Sequence, residues 1–117
     1  MIRFNDIVEE VLKYNPQADV EMLQKAYIFS AQAHKGQVRL SGEPYLIHPL
    51  EVAYTLTKMN LDVPSIISGL LHDTVEDSYV SKEEIESYFG KEIAELVDGV
   101  TKISKIAIKT SEDSRVE

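Results

Sequence analysis

The run LLHDTVED, residues 70–77, places an imidazole beside a carboxylate within an apolar segment. Burial of such a pair is costly unless something compensates it. A divalent cation does so, because the imidazole supplies a nitrogen ligand and the carboxylate an oxygen and a charge. If the helix continues for one more turn, His72 and Glu76 stand four residues apart, as do Asp73 and Asp77. That spacing favours a metal at His72 and Asp73, and a group that activates water at Glu76 and Asp77 one turn further on.

The same residues also fit a helical domain without such chemistry. A buried histidine next to an aspartate is more often a hydrogen-bonded core pair, and Glu76 and Asp77 fit solvated residues near a helix end. His48, which precedes a proline, fits a helix start, and His34 fits a helix C-terminus, where the helix dipole favours a cation. No spacing rule connects His48 with His72. The pattern alone therefore leads only to a candidate His/His/Asp site for a divalent metal.

Basic residues form a second candidate constellation. Lys35 and Arg39 lie in the loop that leads to His48, which places positive charge near whatever His48 binds. An arginine can stack on a base and a lysine can bind phosphate as a point charge. A solvated loop explains Arg39 equally well. Glycine-rich phosphate loops and the nucleophile elbow of serine hydrolases are absent from the sequence.

Length and composition limit the class of protein. The chain has 117 residues, a formal charge of −8 at pH 7, 44% hydrophobic residues and no cysteine. This length fits one small domain, the charge argues against unspecific nucleic-acid binding, and the lack of cysteine excludes a disulfide scaffold and a thiolate metal site. We find no secretory signal and no apolar run near the roughly 20 residues of a membrane span. We therefore expect a cytoplasmic domain that binds neither membrane nor nucleic acid.

Helical periodicity runs through almost the whole chain, because apolar residues recur at spacings of three and four. The segment from Ser65 to about Glu76 is apolar all round and is predicted to be the central, buried helix. Residues 35–47 lose the period, and residues 106–117 are predicted to form a loose tail. The fold predicted is an all-α bundle of five to six helices. These helices begin near Asn5, Asp19, His48, Ser65, Ser81 and Lys91.

Four segments together resemble the hydrolase domain of the RelA/SpoT homologue family. They are AHKGQVR (33–39), SGEPYLIHP (41–49), LHDTVED (71–77) and YFGKEIAELVDGVTKISK (88–105). The resemblance covers about residues 19–106, and the run GVTKI is similar to the long, multidomain members. It implies an HD-type helical fold that binds Mn²⁺ and removes the 3′-pyrophosphate from guanosine tetra- or pentaphosphate. The products would be GDP or GTP and pyrophosphate.

The resemblance also implies roles for the residues of the candidate site. His48, His72 and Asp73 match the metal ligands of the family. Glu76 and Asp77 match the acidic pair that positions or deprotonates the attacking water. This assignment agrees with metal chemistry, since a bound cation polarises a phosphate and lowers the pKa of its water.

The loop before His48 is implied to bind the nucleotide. Arg39 matches a residue that packs on the guanine base, Ser41 lies beside it, and Lys35 lies in the matching loop with a weaker phosphate role. Leu40 stands where the family is often basic, which we expect to weaken contact with the nucleotide.

The fourth metal ligand of the family, an aspartate on a later helix, has no match here, since neither Asp98 nor Asp113 fits its motif. We therefore expect an incomplete metal site in an HD-like bundle truncated at its C-terminal side. Residues 1–117 are interpreted as the N-terminal part of such a hydrolase domain, with synthetase and regulatory domains downstream in the parent protein. Two alternatives stay open: an HD phosphohydrolase for another nucleotide, and a regulatory nucleotide-binding module with an inactive site.

Overall fold

The computed structural model describes residues 1–35, 47–77, 80–100 and 102. Every regular element in these ranges is an α-helix, which confirms the predicted all-α class. None of the described helices is long and apolar enough to cross a membrane. The predictions for residues 36–46 and for the tail at 106–117 lie outside the described residues. The helices are α1 (Phe4–Tyr14), α2 (Val20–Ala33), α3 (Ile47–Lys58), α4 (Val63–Leu71), α5 (Thr74–Asp77), α6 (Lys82–Phe89) and α7 (91–100).

Short polar side chains define where three of these helices begin. Asp19 and Asp62 each accept a hydrogen bond of 3.0 Å from the backbone N–H three residues later, and Ser81 accepts one of 3.2 Å. These bonds satisfy first-turn N–H groups that no helical carbonyl reaches. At the other end of α6, Gly90 has a φ of 96°, a conformation that suits glycine and ends the helix where the sequence predicts.

Asn5 marks the predicted start of the first helix, and the prediction that it caps this helix is wrong. Asn5 lies inside α1, and the N-cap is Arg3. The Asp6 carboxylate accepts the Arg3 backbone N–H at 2.9 Å, so an acid in the first turn, rather than Asn5, satisfies the helix start.

The prediction of one helix from Ser65 to Glu76 is also wrong. Helix α4 ends at Leu71, residues 72–73 form a turn, and α5 follows as a separate helix. The Thr74 hydroxyl donates a hydrogen bond of 2.6 Å to the Leu71 carbonyl, which gives that carbonyl a partner at the interruption.

Helix α4 is the centre of the bundle, as predicted. All of its residues from Ile66 to Leu71 are buried, and it packs against α2 and α3. Helix α1 packs against α3 and, less extensively, against α2. The apolar core consists of Ile7, Val11, Leu23, Ala26, Leu50, Ala53, Ile66, Ile67, Leu70, Leu71, Ile85, Phe89, Ile93, Ala94 and Val97.

Helices α3 and α4 approach each other closely at Gly69. A Cβ on Gly69 would lie 2.7 Å from Leu56 Cδ1 and 3.4 Å from Val52 Cγ1. The glycine therefore leaves space for side chains of α3. The two helices run antiparallel, since Gly69 lies beside the middle of α3 while His72 lies beside His48 at its start.

We expect Asp62→Ala to lower the free energy of unfolding by about 1 kcal/mol, because α4 loses its N-cap acceptor. Hydrogen bonding to Ser65 is the main reason that the pKa of Asp62 lies below its ordinary value. The stabilisation from the Asp62 charge is therefore present above the ordinary carboxyl pKa and is lost as the pH falls through the lowered folded value.

Urea denaturation from pH 7 to pH 3 measures both effects. Asp62→Asn keeps a hydrogen-bond acceptor but does not titrate. The difference in free energy of unfolding between this variant and wild type should therefore shrink at acidic pH. Asn5→Ala is the control, because Asn5 does not cap α1. Equal stability of wild type and Asp62→Ala at pH 7 would contradict the assignment of the cap.

Candidate metal centre

The ends of two antiparallel helices bring His48, His72 and Asp73 together. His48 lies in the first turn of α3, and the other two residues follow the last residue of α4. The Asp73 carboxylate has Oδ1 at 3.0 Å from His72 Nε2 and Oδ2 at 3.6 Å from His48 Nε2. One ligand atom from each of the three residues lies within 4.8 Å of the others. The structure thus joins two histidines that no sequence spacing connects.

A hydrogen bond to the backbone fixes which nitrogen of His72 faces this cluster. Nδ1 lies 2.7 Å from the Gly69 carbonyl oxygen, and since a carbonyl only accepts, Nδ1 carries the proton. In the neutral ring, Nε2 then presents a lone pair towards the Asp73 carboxylate. Two lone pairs at 3.0 Å repel unless a proton or a cation lies between them.

The distances in the cluster fit a divalent cation. Neighbouring ligands around an octahedral ion with bonds of about 2.1 Å stand about 3.0 Å apart. The separation of His72 Nε2 from Asp73 Oδ1, 3.0 Å, is of this size, and that of His48 Nε2 from the other oxygen, Oδ2, is 3.6 Å. Two imidazoles and one carboxylate are also a ligand set that transition metals accept. The donor chemistry and the spacing of these residues therefore fit a metal site.

The charge of Asp73 supports the same interpretation. Burial raises the pKa of this carboxyl, but the hydrogen bond with His72 and the nearby imidazoles of His72, His48 and His34 lower it further than burial raises it. The pKa of Asp73 consequently lies below its ordinary value, and the carboxylate is charged at neutral pH. It can therefore compensate the charge of a bound cation.

The remaining predicted site residues are placed as follows. Glu76 and Asp77 belong to α5, directly after the turn that holds His72 and Asp73, and their side chains lie outside the described part of the structure. Lys35 is exposed just beyond α2. Arg39 and Ser41 lie outside the described residues.

Asp98 and His34 lie outside the three-residue cluster. Asp98, which does not match the fourth ligand of the family, contacts Lys102 at 3.0 Å and Lys82 at 3.8 Å. His34 is 4% exposed and influences the Asp73 carboxylate, although sequence reasoning assigned it only to a helix end. Its position on the buried stripe of α2 was the available signal.

Comparison with known proteins gives one family and several curated relatives. The HD domain family matches residues 26–117. A GTP pyrophosphokinase of Myxococcus xanthus is 54% identical over 101 residues, which cover 86% of this chain and 13% of that protein. The guanosine-3′,5′-bis(diphosphate) 3′-pyrophosphohydrolase of Vibrio cholerae is 39% identical over 117 residues, and the bifunctional (p)ppGpp synthase/hydrolase SpoT of Escherichia coli is 38% identical over the same length. The alignments with these two relatives cover all of this chain and 17% of each relative.

Asp73→Asn should weaken the binding of Mn²⁺ at least tenfold, on the order found when groups at a metal centre are changed, because the anionic ligand is lost while the side-chain shape is kept. Electron paramagnetic resonance of free Mn²⁺ measures the affinity.

Asp98→Asn is the matched control for this experiment. It changes the net charge by the same amount at a carboxylate that pairs with lysines, so its Mn²⁺ affinity should equal that of wild type. Wild-type affinity in Asp73→Asn would show that the cluster is only a hydrogen-bonded pair of core residues.

Proposed function

The chain belongs to the HD-domain family, in its RelA/SpoT homologue branch, and we propose that it carries the metal centre of a Mn²⁺-dependent pyrophosphohydrolase acting on guanosine tetra- and pentaphosphate. The observation that carries this proposal is the convergence of His48, His72 and Asp73 within 4.8 Å. The names of the relatives from Vibrio cholerae and Escherichia coli supply the reaction. The chain spans 13% of the length of the Myxococcus xanthus relative and 17% of the length of the other two.

In this proposal each residue of the cluster has a separate task. His48 and His72 supply nitrogen ligands, and Asp73 supplies an oxygen ligand and a negative charge. When bound, the cation polarises the phosphate and lowers the pKa of water. The hydrogen bond from His72 Nδ1 to the Gly69 carbonyl keeps Nε2 free to bind.

The reaction transfers a pyrophosphoryl group from the 3′-oxygen of the sugar to water. The water oxygen bonds to the phosphorus attached to the 3′-oxygen, and the bond between that phosphorus and the 3′-oxygen breaks. Pyrophosphate leaves with the oxygen of the water, and the 3′-oxygen takes up a proton. Glu76 and Asp77 lie in α5, the short helix that follows the ligands His72 and Asp73. We propose that they accept the proton of the water.

The nucleotide itself is proposed to lie against the segment after α2. Arg39 would stack on guanine, Ser41 would hydrogen-bond nearby, and Lys35, which is exposed, would approach a phosphate. With a net charge of −8, the chain needs such local cations to bind a polyanion. Synthetase and regulatory domains in the same protein, and a cytoplasmic location, belong to the same proposal.

In the full-length protein, this domain with Mn²⁺ should release pyrophosphate from guanosine 3′,5′-bis(diphosphate) but not from GTP or ATP, which lack a 3′-pyrophosphate. His72→Ala should remove this release, because it removes a ligand. Quantifying pyrophosphate and GDP by ion-exchange chromatography tests the prediction. Hydrolysis of other nucleotides would instead indicate a different HD phosphohydrolase, and nucleotide binding without turnover would indicate a regulatory module.

Glu76→Gln and Asp77→Asn should lower kcat by about 10²-fold or more, because the proton acceptor is lost, while the Mn²⁺ affinity stays that of wild type. Parallel measurement of turnover and Mn²⁺ binding separates this effect from loss of the metal. Glu86→Gln, an exposed carboxylate on α6, is the control. If Mn²⁺ binding fell together with kcat, the acidic pair would be ligands rather than proton acceptors.

A further inference from the structure

Two side-chain hydrogen bonds are made to carbonyl groups in the last turn of α4. His72 Nδ1 donates to the Gly69 carbonyl at 2.7 Å, and the Thr74 hydroxyl donates to the Leu71 carbonyl at 2.6 Å. Each donor lies three residues after its acceptor, so the two bonds overlap along the chain. The first bond orients the ring of a candidate ligand, and the second acts on the backbone that carries both ligands of this turn.

The bond from Thr74 closes a short loop around His72 and Asp73. Leu71 is the last residue of α4 and Thr74 is the first residue of α5, so only these two candidate ligands lie between the acceptor and the donor. A closed loop reduces the number of backbone conformations open to the residues inside it. The Thr74 hydroxyl therefore restrains the two residues whose ligand atoms must meet Nε2 of His48.

Burial and the shortness of α5 make this bond consequential. Thr74 and Leu71 both have no exposed surface, so water does not readily replace the hydroxyl as the donor to the Leu71 carbonyl. Helix α5 has only four residues, too few to be stable through hydrogen bonds of its own. The geometry of the turn between α4 and α5 thus depends in part on the bond that connects the ends of the two helices.

We propose that Thr74 is a positioning residue of the metal centre: its hydroxyl holds the turn at residues 72–73 in the arrangement in which His72 and Asp73 bind a divalent cation together with His48. The inference rests on the metal site of the proposed function and is independent of the nucleotide. A site whose ligands are correctly placed for only a fraction of the time binds more weakly by that fraction. Loss of the hydroxyl should therefore raise the Kd for Mn²⁺.

Two substitutions separate the hydroxyl of Thr74 from its methyl group. Thr74→Val keeps the branched shape and removes the donor, and it should raise the Kd for Mn²⁺ about tenfold, the lower end of the range for groups that orient metal ligands. Thr74→Ser keeps the donor and removes a buried methyl group. It should lower the stability of the metal-free protein, while its Kd for Mn²⁺ stays close to that of wild type.

Thr57→Val is the matched control. Thr57 is 1% exposed, and its hydroxyl donates to the carbonyl of Tyr54, which also lies three residues earlier. It lies near the end of α3, nine residues and more than two helical turns from His48. Thr57→Val therefore removes the same kind of buried hydrogen bond away from the metal centre, and it should leave the Kd for Mn²⁺ unchanged.

Electron paramagnetic resonance of free Mn²⁺ measures the Kd in the full-length protein, for the binding that His72→Ala removes. Circular dichroism melts in EDTA compare the stability of the metal-free variants. The wild-type Kd in folded Thr74→Val overturns this inference. A rise in Kd of the same size in Thr74→Ser or Thr57→Val also overturns it, because loss of packing or of general stability would then be the cause. If Thr74→Val does not fold, Thr74→Ala is judged by the same criterion.

The same measurements distinguish this inference from the proposed function. If wild type binds no Mn²⁺ that His72→Ala removes, both are wrong. If wild type binds Mn²⁺ and Thr74→Val weakens that binding, but no nucleotide is hydrolysed, only the proposed function is wrong. If hydrolysis and Mn²⁺ binding in Thr74→Val both equal those of wild type, only the role of Thr74 is wrong.

Discussion

The arrangement of the site depends on keeping a carboxylate charged where burial disfavours the charge. The Asp73 side chain is 13% exposed, and an isolated acid in such a place would tend to take up a proton. Its pKa is instead lowered, chiefly because the carboxylate hydrogen-bonds with His72 and lies near the imidazoles of His72 and His48. A charged acid beside a nitrogen lone pair is repulsive unless a proton or a cation lies between them, so this cluster needs one or the other between His72 and Asp73.

The packing of α3 against α4 determines whether this cluster forms. His48 and His72 lie at one end of an antiparallel pair, so their separation depends on how closely the helices approach. Gly69 permits that approach beside Leu56, and its carbonyl also accepts the proton of His72 Nδ1. One residue therefore acts on the spacing of the helices and on the tautomer of a ligand.

Local signals in the sequence predicted most of the fold. Asp19 and Ser81 mark helix starts through short-range hydrogen bonds, and these starts are confirmed. The helix expected to begin near Ser65 begins at Val63, after the N-cap Asp62. The interruption after Leu71 was missed, because the apolar pattern continues through it. The convergence of His48 with His72 and Asp73 depends on how α3 packs on α4, and helical period within one segment carries no information about that packing.

The position of the site also depends on features that helical period does not reveal. Its residues come from helix ends rather than from helix faces: His48 from the start of α3, and His72 and Asp73 from the end of α4. A helix C-terminus carries partial negative charge and favours cations, and α4 ends immediately before His72 and Asp73. A continuous helix through residues 72–73 would remove the free end of α4, because its last carbonyl groups would then accept helical hydrogen bonds. The interruption that the sequence pattern did not predict thus places the carboxyl-terminal end of α4 directly before the two adjacent candidate ligands.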